Sequence, residues 1–231
     1  MANLWIVIPA KDEADTIGRL VTEAAQYGTV LVVNDGSRDD TGPIAAKSGG
    51  LHLRHVSSCG IGLSIMDGWR VALANGAEWI LVMDAGGSHD PRDIPKFPAF
   101  AGLNGTRVAH IVIGSRFVPG GRYYGRWWRK ACSRFMALLC NLSQSGKWLH
   151  DWSSGFRLYS AGAVRQLLAV RYQAKMHAWQ IEVLGWARFL HLSIKETPIT
   201  YVAGQSSLSW SGVLEAALVW LQILHHRQVT G

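Results

Sequence analysis

The spacing of apolar residues switches back and forth along the first half of the chain, and this alternation restricts the fold more than any other feature. Short runs rich in Val, Ile, Leu and Trp occur at "LWIVIPA" (4–10), "TVLVVNDG" (29–36), "LHLRHV" (51–56), "EWILVMDAG" (78–86) and "HIVIGSRF" (110–117). Between them lie segments of helical period, 14–27, 40–48, 63–75 and 91–103. The runs are apolar on successive residues, as strands covered on both faces must be. The order predicts an α/β fold with a mostly parallel central sheet flanked by helices. Further helices are expected at 126–142, 161–172, 178–190 and 211–226, with a strand or strand pair at 193–203.

One domain is expected, because 231 residues suffice to bury a core and no linker, repeat or low-complexity tract divides the chain. The apolar run in "MANLWIVIPAKDEA" ends at Lys11, Asp12 and Glu13, too soon for a signal peptide or an anchor. The late segment "GVLEAALVWLQIL" (212–224) is also too short to span a bilayer, so no transmembrane helix is expected. Burial in the core, a dimer contact or contact with a membrane surface would each suit it. Cys59, Cys132 and Cys140 form neither a paired framework nor a metal knuckle, and read as free core thiols in a reducing compartment. A formal charge of +7 favours anionic partners such as nucleotides, nucleic acid or anionic lipid.

In a sheet of this kind ligands bind beyond the carboxyl ends of the strands, and there the chain gathers its acids: Glu13 after the first run, Asp35 after the second and Asp84 after the fourth. Taken alone, Asp35 and Ser37 in N-D-G-S would equally be turn and helix-cap residues. In "LVMDAGGSHDP" (81–91), Gly86 stands where a second metal-binding carboxylate would follow Asp84. Asp90 and His89 lie close enough in sequence to substitute, and a histidine ligand would favour Mn²⁺ over Mg²⁺. Asp90 followed by Pro91 is equally a helix cap. Farther on, residues 116–134 hold six basic residues and no acid, interleaved with Tyr123, Tyr124, Trp127 and Trp128. Arg126, Lys130 and Arg134 recur every four residues and would line one helix face, with Arg129 beside them, a candidate binding surface.

The ordered set "VIPAKDEADTI", "VVNDGSRDDT", "GIGLSIMDGWRVALANG", "VMDAGGSHDP", "IGSRF", "WWRKACSR", "DWSSGFRLYS" and "WQIEVLGWAR" resembles the inverting family 2 glycosyltransferases. Within them it is most similar to the dolichol-phosphate, or polyprenyl-phosphate, mannose synthase group. The resemblance implies a GT-A-type nucleotide-sugar-binding domain, with a donor half at 1–117 and an acceptor half at 118–231 that ends in the apolar helix. It implies that Pro9, Glu13 and Asp35 hold the donor's base and ribose, and that Gly60 and Gly62 allow close backbone approach to the donor. Asp84 matches the first acid of a D-x-D motif, which implies a divalent metal, Mg²⁺ or Mn²⁺, in a shell altered by Gly86. Asp84, Arg116, Asp151 and Glu182 are implied at the transfer site, and Arg129, Lys130, Arg157 and Gln180 toward the acceptor. The implied location is the cytoplasm, peripheral to a membrane surface.

Two acceptor classes stay open. A polyprenyl phosphate is already an anion and needs little general-base help, whereas a neutral hydroxyl, such as that of a hydroxymethylated base in DNA, needs a carboxylate to take its proton. Asp151, Glu182 and Asp90 are the candidates for such a base. The related synthases carry an Arg and a Lys after the late Pro. Here Pro198 is followed by "ITYVAGQSSLSW", with Ser207 in the Lys position and no Arg between Lys195 and Arg227. A third reading, a non-catalytic sugar-nucleotide binder, rests on Gly86 alone.

Overall fold

The structure, a computed structural model, describes residues 3–97, 109–144, 146–174, 176 and 178–204. The expected alternation appears as β1 (Leu4–Ala10), α1 (Ala14–Ala24), β2 (Thr29–Asn34), α2 (Thr41–Lys47), β3 (Leu51–Arg54), α3 (Ile61–Ala74), β4 (Trp79–Val82) and β5 (Ile111–Ser115). Then follow β6 (Arg122–Tyr124), α4 (Trp127–Ser143), β7 (Arg157–Ser160), α5 (Ala161–Leu168), α6 (Trp179–Phe189), β8 (Ile194–Pro198) and β9 (Thr200–Val202). Of the helix expected at 91–103, a 3-10 turn at Pro91–Asp93 is described, and 98–103 lie outside the described residues. The helix expected at 211–226 and Ser207 lie outside them too.

Seven strands form one sheet in the order β3-β2-β1-β4-β7-β5-β8, and β6 pairs with β9 in a separate ribbon. Successive residues of β1 face opposite cores, because side chains alternate along a strand. Ile6 and Ile8 pack with Ile17, Leu20 and Val21 of α1, whereas Trp5 and Val7 belong to the core of Trp69, Trp152 and Trp179. Trp69 of α3 meets Tyr159 edge-on at 4.9 Å and Trp179 at 5.4 Å, which ties the first half of the chain to β7 and α6. Both the sheet and this core run across residue 117.

β7 was not foreseen as a strand. It lies antiparallel between β4 and β5, with Leu81 opposite Leu158 and Val112 opposite Leu158. Its four residues are all buried, Arg157 and Tyr159 included, so it shows neither alternation nor an apolar run. The cysteine reading is also corrected: all three thiols are free, but Cys59 and Cys132 are exposed. Cys140 alone is buried, and burial pushes its thiol up to about 12. Among the described residues no helix is long and apolar enough to cross a membrane.

The order of strands reverses at the β1/β4 boundary: the chain proceeds from β1 outward to β2 and β3, then returns to place β4 on the other side. Loops leaving the carboxyl ends of these two strands therefore diverge and leave a crevice between them.

Candidate active site

Glu13 and Asp84 come to this crevice from its two sides. The loop after β1 is tied to the loop after β2: the Glu13 N–H donates to Thr41 Oγ1 at 2.8 Å and the Ala14 N–H to Asp39 Oδ2 at 3.1 Å. Asp12 takes a left-handed conformation (φ 54°), and its carboxylate accepts from the Arg38 N–H. Thr16 Oγ1 lies 2.7 Å from the Ala85 carbonyl and 3.2 Å from Glu13 Oε2, which brings α1 against the turn after β4. The Glu13 carboxyl is raised above its ordinary value by burial, only partly offset by Thr16, and then by the negative charges of Asp84, Asp39 and Asp12. Among the described residues no Lys or Arg forms an ion pair with Glu13 or Asp84.

Asp84 is about a third exposed, with Oδ1 2.6 Å from Nδ1 of the nearly enclosed His89. The two atoms form an ion pair if His89 is protonated, and His89 Nε2 has no hydrogen-bond partner. Burial pushes the Asp84 carboxyl up, but His89, through its ring and its backbone N–H, and then the Ser88 side chain outweigh this and hold it below its ordinary value. His89 is held between Phe156 at 4.9 Å and Tyr201 at 5.3 Å. The carboxylate of Asp84 is of the donor type that Mg²⁺ and Mn²⁺ take, and the Glu13 carboxylate lies within electrostatic reach of it.

Asp90 does not join them. Its Oδ1 caps the 3-10 turn by accepting from the Arg92 N–H at 2.9 Å, and both oxygens accept from the Arg92 guanidinium. The cap expected from D-P is present, and the Asp90 carboxylate is shared between it and Arg92.

Asp35 is also engaged. Its oxygens accept from Ser58 Oγ at 2.7 Å, the Cys59 N–H at 2.7 Å and the Gly60 N–H at 3.0 Å, and Oδ1 meets His55 Nδ1 at 2.9 Å. Burial raises the carboxyl, but these contacts outweigh it and bring it to about 2. Asp35 thus latches the β3–α3 loop, and His55 reaches on to Asp67 of α3 at 3.2 Å. Gly60 (φ 92°) supplies the left-handed residue from which α3 starts. At Gly62 a Cβ would lie 2.7 Å from the Trp179 ring, so helix packing also demands glycine there. Pro9 is buried in β1 opposite Val33.

The other implied charges close on one another. Asp151, fully buried, accepts from the Arg116 N–H at 3.0 Å, its Nε at 2.7 Å and an Nη at 2.6 Å, and the Ser154 N–H adds a fourth contact at 3.1 Å. Burial opposes both charges, but each partner outweighs it, holding the Asp151 carboxyl low and the Arg116 guanidinium high. Arg116 also lies over the rings of Phe117 and Tyr201, at 4.9 and 5.0 Å. Arg157, fully buried, donates to the carbonyls of Gln180 (2.7 Å) and Trp152 (2.8 Å). Glu182 accepts from the Gln173 and Ala174 N–H groups. The side chain of Gln180 is buried near Gly155. Asp151, Arg157, Glu182 and Gln180 are buried, and the first three are engaged by partners within the protein. Arg129 and Lys130, on the first turn of α4, form no ion pair among the described residues, and Arg129 lies over Trp128 at 5.3 Å.

Sequence reasoning missed Tyr201 and Thr16. Thr16 lies in the quoted "VIPAKDEADTI" one turn from Glu13 but carries no charge; tertiary structure adds its contact with Ala85 and brings Tyr201 against His89.

The family described as Glycosyl transferase family 2 matches residues 5–168. The chain belongs to this family. Among curated relatives, an undecaprenyl-phosphate mannosyltransferase of Micrococcus luteus is 32% identical over 225 residues, covering 92% of this chain and 90% of the relative. A polyprenol monophosphomannose synthase of Mycolicibacterium smegmatis is 30% identical over 225 residues, covering 91% and 83%. Among solved structures, glucosyl-3-phosphoglycerate synthase from Mycobacterium tuberculosis, in complex with Mn²⁺, UDP-glucose and phosphoglyceric acid, is similar with a TM-score of 0.75 at 18% identity. That likeness covers 97% of this chain and 80% of the other. This family 2 member is a glycosyltransferase with the GT-A-like α/β fold that the sequence predicts.

Proposed function

We propose that this glycosyltransferase moves a hexosyl group, with inversion, from a nucleoside-diphosphate sugar to a polyprenyl phosphate presented at a membrane surface. The observation that carries the acceptor is the outward face of α4. Trp127, Phe135, Leu138 and Leu142 are exposed by 80, 61, 40 and 69% and fall on one helical stripe, opposite the buried Cys140. Exposed Lys130 and Arg134 border that stripe. Apolar side chains at the acyl boundary with cations toward anionic headgroups suit an interfacial helix, where a lipid acceptor would be met.

The chemistry is consistent with that acceptor. A phosphate oxygen can attack the anomeric carbon without giving up a proton, so no carboxylate base is needed. The three acids considered for a neutral hydroxyl, Asp90, Asp151 and Glu182, are each held by partners within the protein. Asp84, with His89 behind it, would hold a divalent cation, which when bound supplies charge neutralisation for the departing nucleoside diphosphate. Arg129 and Lys130 remain available to the acceptor phosphate.

The test supplies the protein with labelled GDP-mannose, and separately with UDP-sugars, alongside undecaprenyl phosphate in vesicles or hydroxymethylated DNA. Mannose is tried first because both relatives named above transfer it. Label in the lipid alone is the expected result; label in DNA alone would overturn the acceptor. Trp127→Ala with Phe135→Ala should lower transfer in vesicles while sparing thermal stability.

A further inference from the structure

Gly86 has no backbone reason to be glycine. Its neighbour Gly87 takes φ 72°, but Gly86 lies outside the left-handed region, so a side chain there would be tolerated by the main chain. What a Cβ at this position would meet is Glu13: Oε1 at 3.3 Å, Oε2 at 3.8 Å and Cδ at 3.9 Å. The carboxylate of Glu13, the residue that precedes α1, thus stands beside the space into which an acid at position 86 would have projected. It reaches that place from a backbone fixed by Thr41, and its side chain rests against Thr16, whose hydroxyl also contacts Ala85.

We propose that Glu13 supplies the divalent cation with the carboxylate that position 86 lacks, so that the ion is held across the β1/β4 crevice by Glu13 on one side and Asp84 on the other. This rests on the cation of the proposed transfer reaction. It gives Glu13 a task other than holding the donor's ribose. One or two carboxylates with phosphate and water are a usual shell for Mg²⁺ or Mn²⁺, so a ligand from another strand end can serve as well as one two residues away.

Mn²⁺ affinity in the presence of UDP or GDP, read from the loss of the free-ion paramagnetic resonance signal, tests this without turnover. Glu13→Gln should weaken Mn²⁺ binding by about tenfold or more, at least the loss caused by removing an outer-shell partner of a metal site. Glu13→Ala should do the same, and the double variant Glu13→Ala/Gly86→Asp should regain most of the affinity. An unfolded variant would show itself by a lost thermal transition, and the double variant then decides the matter. Unchanged Mn²⁺ affinity in Glu13→Gln, or no recovery in a folded double variant, overturns the assignment. Wild-type protein that binds nucleotide but no Mn²⁺ overturns it together with the cation itself. Lipid labelling that persists in excess chelator would remove the cation while leaving the acceptor intact.

Discussion

Two acidic sites in this chain read alike as sequence and behave in opposite ways as structure. At the β1/β4 crevice, Glu13 and Asp84 approach one another with no Lys or Arg paired to either among the described residues, and Asp84 remains a third exposed. Ahead of β7, Asp151 is wholly enclosed and saturated by Arg116 and backbone N–H groups. At the first site two carboxylates lie within electrostatic reach of one another, with His89 as the basic partner of Asp84 among the described residues. The second is a buried ion pair whose charges balance one another and tie the end of β5 to the segment ahead of β7. A charged motif becomes reactive only where the fold leaves part of its charge unbalanced.

The largest expected effect lies at the sealed site. Asp151→Ala strands a buried guanidinium and should cost about 3–5 kcal/mol, seen as a lower denaturation midpoint. Replacing both partners, Arg116→Met with Asp151→Leu, should be less damaging than the single change; equal or greater loss would break the comparison. At the open site the effect moves from stability to catalysis. Asp84→Asn should lower kcat/KM on the order of a hundredfold with little change in thermal midpoint, as expected for losing a cation's main anchor.

The Asp35 latch should fall between these in stability. Asp35→Asn removes charge-assisted contacts to the β3–α3 loop and should cost about 1.5–3 kcal/mol in a urea titration. Its pH dependence has a definite sign. The folded carboxyl sits at about 2 against an ordinary value of 3.8, so its contribution is present above about pH 4 and is lost as pH falls toward 2. Unfolding curves of Asp35→Asn should therefore lack that part of the acid loss. The smallest effect is expected from Asp90→Ala, about 1 kcal/mol of stability from the lost cap, with Mn²⁺ affinity unchanged.

Much of the fold was legible because strands buried on both faces leave continuous apolar runs. β1 matches its expected span residue for residue, and β2, α2 and α4 differ by one or two residues at their ends. β7 was not legible: Arg157 and Tyr159 interrupt its pattern, and they are tolerated inside only because Arg157 finds the carbonyls of Trp152 and Gln180. The acids at strand ends were legible as a group, from their recurrence after successive apolar runs. Their division into open and closed was not, since it depends on partners such as Arg116 for Asp151, at a separation of 35 residues, and His55 for Asp35, at 20.

The sequence by itself determined the α/β alternation, the family, and the carboxyl-end crevice at which Glu13 and Asp84 would arrive, because these depend on periodicity and motif order along the chain. Only the tertiary structure decided which charges stay available. It turned Asp90 to its own cap, closed Asp151 on Arg116, gave Gly62 to the Trp179 ring, and set Glu13 beside the empty side of Gly86. Those outcomes follow from distances between residues far apart in sequence, and electrostatic balance is a property of that proximity.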